Sequence, residues 1–352
     1  MKPSIKTFVF RTLLATLPVM LMLAFYIVQD PFHVVHPVTR DADGRDSVIA
    51  GNNACYTSVE TYLAHDGEQH YDSFIFGSSM SQNYKAEYWR PYIGNDASIL
   101  HFDASAETLE GILNKMKFLN RHGTTIKNAL IVIDEEMLRL KPKENDILYV
   151  QHPSTTGVHN WFNFHSIFFN AARNTSVLKK MLNNTDDQER ELAKKTLNEE
   201  IADRIDVSNE IYYPIIDSLI EHDPAKFFTQ QRLAARKHAH LPKQTVPAIN
   251  DGVEAQLLDI KGLLDKNQTN YIVLVPPCNY KPTLMAADLW ALKAIFGDKR
   301  VHDFSNAQGY VNNELFYYDK MGHLISAKCK VLLDSAYNEQ QQASLHNPYY
   351  RL

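Results

Sequence analysis

The chain has 352 residues, 45% of them hydrophobic, 22% charged and 11% aromatic, a balance that excludes a disordered tail, a collagen-like repeat and a polytopic membrane protein. A formal net charge of −5 leaves no basic excess to release counterions from a polyanion, so nucleic acid is not an expected partner. Three widely separated cysteines, Cys55, Cys278 and Cys329, lack zinc-ligand spacing and leave room for one disulfide at most.

In chain order, the first element is Thr12 to Val28, 17 residues without a charge, preceded by Lys2, Lys6 and Arg11. A run of this length lies at the short end of the ~17–25 residues that span a bilayer, and Phe8 to Phe10 extend it if Arg11 snorkels. Residues 1–28 therefore read as a single-pass anchor in the inner membrane, basic end inside, with the soluble part facing the periplasm or outer surface. A cleaved signal peptide has the same basic and apolar regions, but no small-x-small cleavage site follows here. A buried core helix, the other alternative, would carry a polar face. Residues 29–70 are polar and punctuated by Pro31, Pro37, Asp41 to Asp46 and Gly51 to Asn53, and read as a stalk and lead-in.

From 71 to 340 the pattern is α/β. Short apolar runs at Asp72–Gly77, Ser98–Asp103, Ala129–Asp134 and Tyr271–Pro276 predict buried parallel strands. Glu107 to Asn120 predicts a helix between the second and third, and Leu324 to Tyr337 a last helix. The expected fold is a flavodoxin-like three-layer parallel sheet. Residues 138–247 lack such strands and predict a helical insertion over the carboxyl edge of the sheet, with helices at His165–Leu182, Gln188–Arg204, Ile211–Glu221 and Phe227–Ala239. An independent helical domain is the alternative. Residues 341–352 read as a tail.

Two local patterns bear on chemistry. Phe76-Gly77-Ser78-Ser79-Met80-Ser81 follows the first strand, where a strand, a tight turn and a helix place a serine at a helix N-terminus, favourable to developing negative charge. Plain N-capping by Ser78, Ser79 or Ser81 is the competing reading. Near the other end, Asp319 precedes His323 by four residues, just ahead of the last helix. A serine hydroxyl needs a base to take its proton, and that base needs an acceptor to fix its tautomer, roles that His323 and Asp319 can fill. His152, His159 and His165 match no metal-ligand spacing, and no metal or other cofactor is expected.

The anchor, the FGSS ending of the first strand and the late Asp-to-His pair together resemble the SGNH (GDSL-like) hydrolase superfamily. They are most similar to its membrane-anchored envelope branch, which includes the teichoic acid D-alanyl transfer protein and the alginate acetylation proteins. The resemblance covers about residues 71–337, apart from the insertion. It implies that Ser79 is the nucleophile, with Ser78 where many members have Asp, and that His323 and Asp319 complete the triad. The family's second block supplies an oxyanion amide from a Gly; here the segment is Phe102 to Thr108, so the N–H groups of Ser79, Ser105 and Ala106 are the expected donors. The third block, GxND, has no Asn counterpart in Ile133-Asp134-Glu135-Glu136, and D-x-x-H is lengthened to D-x-x-x-H. Asn83, His159 and Trp161 are candidates for substrate contact. The implied activity is an esterase or O-acyltransferase working through an acyl-serine on an envelope glycan or acyl carrier. The alternative is a catalytically weak adaptor for a polytopic membrane acyltransferase, suggested by the missing Asn and Gly.

Overall fold

The computed structural model describes residues 5–41, 47–50, 53–143, 145–156, 161–175, 204–205, 207–212, 214–229, 246–278, 283–307, 309–310, 313–319 and 321–338. Its elements begin with α1 (Ile5–Gln29), β1 (Val38–Asp41), β2 (Ser47–Ala50), α2 (Ala54–Gln69), β3 (Ser73–Gly77), α3 (Ala86–Ile93), β4 (Ile99–His101), α4 (Leu109–Arg121), β5 (Asn128–Val132), α5 (Glu135–Arg139) and α6 (Trp161–Ala172). They continue with β6 (Arg204–Ile205), β7 (Ile211–Tyr212), α7 (Pro214–His222), α8 (Pro224–Phe227), α9 (Asp251–Lys266), β8 (Asn270–Val275), α10 (Ala286–Phe296), β9 (Val301–Asp303) and α11 (Ser326–Tyr337).

The central sheet has five parallel strands in the order β4-β3-β5-β8-β9. Numbered along the chain, that is 2-1-3-4-5, a doubly wound order in which the chain reverses direction beside β3, so ligand sites form at the carboxyl ends of the strands there. Alternation along the strands feeds two cores. Phe74, Phe76, Ala129, Ile131 and Val273 pack with α2, α4, α9 and α10, while Ile75, Leu130, Val132 and Leu274 pack with α3 and α11. Both faces are thus covered, and the α/β class holds.

α1 is 25 residues of apolar helix, long and apolar enough to cross a membrane, and its window of highest hydropathy has none of its residues buried. The predicted stalk, however, contains a core element. α2 contributes Val59 and Tyr62 to the main core. Its buried face also carries Ser58 and Thr61, whose hydroxyls donate to the carbonyls of Ala54 (2.7 Å) and Thr57 (2.8 Å). Side chains that return their polar groups to their own helix bury at little cost, which is why the segment reads as polar in sequence.

β9, three residues at the sheet edge, is an addition to the predicted strands. In the insertion, α6 runs over Trp161–Ala172 rather than from His165, and the segment expected to begin a helix at Ile211 first pairs as a short strand with β6 before Pro214 opens α7. The predicted helix at Gln188–Arg204 lies outside the described residues except for Arg204, as do the ends of those predicted at His165–Leu182 (from 176) and Phe227–Ala239 (from 230) and the tail at 341–352. Ser208 O accepts from the His101 N–H (2.8 Å) and Asn209 Nδ2 donates to the His101 carbonyl (2.8 Å), so this part of the insertion seals the β4 edge. All three cysteines are buried, and none is in a disulfide.

Candidate active site

The residues after β3 do not enter a helix directly. Ser81 N donates to Ser78 O (2.9 Å) and Tyr84 N to Ser81 O (3.0 Å), forming consecutive turns, and α3 starts only at Ala86. The expectation of a serine at a helix N-terminus is therefore corrected to a serine on a turn. Gly77 is required there: a Cβ would meet Ser81 Cβ and Oγ at 2.6 Å and the Val132 carbonyl at 3.1 Å. The three serines divide their work. Ser78 Oγ donates to Asp134 Oδ2 (2.5 Å) and accepts from Met80 N (3.3 Å), joining the end of β3 to the cap of α5. Ser81 Oγ is fully buried against Ser78 O (2.6 Å) and Asp103 Oδ2 (2.7 Å). Ser79 caps nothing and is half-buried between them.

Ser79 Oγ lies 2.8 Å from His323 Nε2, and His323 Nδ1 lies 2.7 Å from Asp319 Oδ2. An ionised carboxylate only accepts, so Nδ1 carries the proton and Nε2 is free to accept from the serine. Burial works to raise the Asp319 pKa, but the hydrogen bond and charge of His323 outweigh it and hold the carboxyl below its ordinary value. The Asp319 Oδ1 also accepts from Met321 N (2.9 Å) and His323 N (3.3 Å). The four-residue spacing from Asp319 to His323 is accommodated by this turn, whose Gly322 has φ of 88°. Tyr318 N donates to the His323 carbonyl (2.8 Å), and the Tyr318 hydroxyl donates to Asp217 on α7, so the insertion braces the histidine loop.

Asn83 is corrected by this geometry. Its Nδ2 donates to the Leu324 carbonyl (2.7 Å) next to His323, and the residue is buried, so it serves the loop and not a substrate. Trp161 lies against His152 and stacks on His165, with ring contacts on the α6 side of the molecule and none to the triad. His159 lies outside the described residues. Among the described residues, no group of at least three His, Cys, Asp or Glu is arranged to hold a metal ion. No protein-family model matches the chain, and no curated protein matches it.

The loop after β4 turns through a left-handed residue that is not a glycine. Glu107 N donates to Ala104 O (3.3 Å) across the turn, with Ala106 at φ of 50°, a left-handed conformation that costs an alanine about 1–2 kcal/mol. Ser105 and Ala106 are half-buried, and among the described residues no acceptor meets the N–H of Ser79, Ser105 or Ala106. Asp134, the N-cap of α5, spends its carboxylate on Ser78 and on the Met137 N–H (2.9 Å). Its carboxylate side chain offers no donor.

Sequence reasoning missed a buried polar chain behind the Ser79 turn. From Ser81 it runs to Asp103, to His101 (Nδ1 at 3.5 Å from Asp103), to Glu210 of the insertion (3.5 Å from Nε2) and to Lys85 (3.7 Å). The H-x-D spacing of His101 and Asp103 on one strand end was the available signal. Burial disfavours charge on His101, but Asp103 and Glu210 overcome it and raise its pKa from 6.5 to about 9. The folded protein thus keeps a proton that the unfolded chain releases between these values. Its stabilisation is complete below pH 6.5 and is lost as pH rises through about 9. Melting temperature is expected to fall over that interval, and His101→Asn to flatten the fall; an unchanged slope in the variant would refute the assignment.

Proposed function

We propose that the chain is a membrane-anchored serine esterase or O-acyltransferase of the SGNH type, acting on an acylated envelope glycan or acyl carrier. The observation that carries this reading is the unbroken line from Ser79 Oγ to His323 Nε2 and from Nδ1 to Asp319, at 2.8 and 2.7 Å, joining turns 240 residues apart at the carboxyl edge of the sheet. Ser79 attacks the acyl carbonyl while His323 takes its proton, and Asp319 stabilises the imidazolium. The N–H groups of Ser79, Ser105 and Ala106 face the oxyanion, and His323 returns the proton to the leaving alcohol. Water or a sugar hydroxyl then takes the acyl group by the reverse sequence. With no Asn in the third block, one donor fewer is present than in typical members, which lowers rate by about 10²–10³.

The flavodoxin-type strand order supports the same family. The anchor, rather than a cleaved signal, is supported by Tyr26 in the last turn of α1, which is buried and bonded to His165 (2.9 Å), so cleavage after the helix would open the domain's own packing. The basic N-terminus then stays in the cytoplasm and the catalytic domain faces the periplasm or outer surface.

A fluorophosphonate probe tests the reading. Labelling of the wild type that is lost in Ser79→Ala supports it; equal labelling of both sinks it. The adaptor reading, favoured by Asp134 in place of an oxyanion donor, predicts instead that Ser79→Ala and His323→Ala preserve function in a cell carrying the acyltransferase partner.

A further inference from the structure

We propose that the N-terminal end of α6, bearing Trp161 and Phe162, inserts into the headgroup layer of the bilayer that holds α1, so that the domain meets the membrane at two points and not by a tether alone. The proposal rests on α1 being the transmembrane anchor. Its starting point is the end of that helix, which is built into the domain. Tyr26 lies three residues before the last residue of α1, a rise of about 4.5 Å. Its hydroxyl bonds to His165 Nδ1 (2.9 Å), and Phe169 meets its ring edge-on at 5.8 Å. After the helix the chain does not trail away. The buried carboxylate of Asp30 accepts from the N–H groups of Val34 (3.0 Å), Val35 (2.9 Å) and His36 (2.7 Å), and Phe32 packs on Phe168. α6 is therefore fixed beside the point where the apolar helix ends.

The exposed face of α6 matches a bilayer surface. The helix, WFNFHSIFFNAA, has no Asp, Glu, Lys or Arg. Its one titratable ring, His165, has its pKa lowered by burial and is neutral at neutral pH. Phe164 and Phe168 face inward, whereas Phe162 is 88% exposed and Trp161 37% exposed. Trp161 stacks on His165 at 5.7 Å and 21°, one ring away from the Tyr26 hydroxyl. The headgroup layer is about 5–7 Å deep on each side of the hydrocarbon, within reach of rings placed this close to the helix end, and it is where Trp and other aromatic side chains concentrate. A bilayer accounts for an exposed Phe in this position without a second protein.

The full chain in phosphatidylcholine/phosphatidylglycerol vesicles tests it. Trp290, 72% exposed on α10, is replaced by Phe, while Trp89 is fully buried and beyond the reach of lipid. Vesicles with lipids brominated near the headgroup are expected to quench the emission that disappears in the further variant Trp161→Phe. Phe162→Asp, a change at an exposed position, is expected to cut that quenching at least ~2-fold without altering the melting temperature. Alkaline carbonate extraction separates the two readings. Release of the chain overturns the anchor and the proposal with it, whereas retention with Trp161 unquenched overturns the docking alone. Protection of Trp161 from acrylamide that requires an added protein partner, and not lipid, also overturns it.

Discussion

Asp319→Asn is expected to slow acylation of Ser79 by about 10³–10⁴-fold while the protein stays folded. The carboxylate only accepts, and this keeps the His323 proton on Nδ1 and the lone pair of Nε2 on Ser79 Oγ, at 2.7 and 2.8 Å. An amide in its place can turn Nδ2 toward the ring and donate to Nδ1. The imidazole then carries its proton on Nε2 and presents a donor where the serine needs an acceptor. The turn itself survives, because the amide oxygen still accepts from Met321 N and His323 N. Time-resolved fluorophosphonate labelling, with melting temperature measured alongside, reads both halves. Equal labelling rates for wild type and variant would remove Asp319 from the triad, and a collapse in melting temperature would make it a structural residue.

The sequence exposes those parts of the site that are carried by residue type. A glycine before two serines at a strand end, and an acid ahead of a histidine before the last helix, are local patterns, and they lie together in the fold. The strands of the sheet were legible for the same reason, since a strand buried on both faces is apolar along its whole length. What stayed hidden depended on long-range pairing. α2 looks like a stalk because Ser58 and Thr61 hide their polarity in helix carbonyls. Asn83 looks like a substrate ligand because nothing local says that its amide donates to Leu324, 241 residues away. Ala106 looks like a lost glycine, yet the backbone keeps the left-handed turn and tolerates the strain. The helix expected to carry Ser79 fails for a different reason: Ser78 and Ser81 satisfy the turn's polar groups themselves, so no helical ladder forms before Ala86.

The loop after β4 depends on an ion pair that carries the other large effect. Lys115 Nζ is buried beneath it, 2.8 Å from Glu107 Oε2, and donates to the carbonyls of Phe102 (3.1 Å) and Asp103 (3.2 Å), which lead into Ser105 and Ala106. Gly111 permits this closeness, since a Cβ there would meet Glu107 Oε1 at 1.9 Å. Lys115→Met is expected to cost about 3–5 kcal/mol, because it leaves the Glu107 charge buried without its partner and two carbonyls without a donor. Adding Glu107→Gln removes the stranded charge and is expected to recover most of that stability, as replacement of a whole buried pair is often nearly neutral. The double variant still lacks the ammonium that holds the Phe102 and Asp103 carbonyls, so stability and catalysis part company in it. Urea unfolding should return close to wild type while acylation of Ser79 remains slow. If acylation recovered together with stability, Lys115 would only balance a charge, and the position of the Ser105 and Ala106 amides would not depend on it.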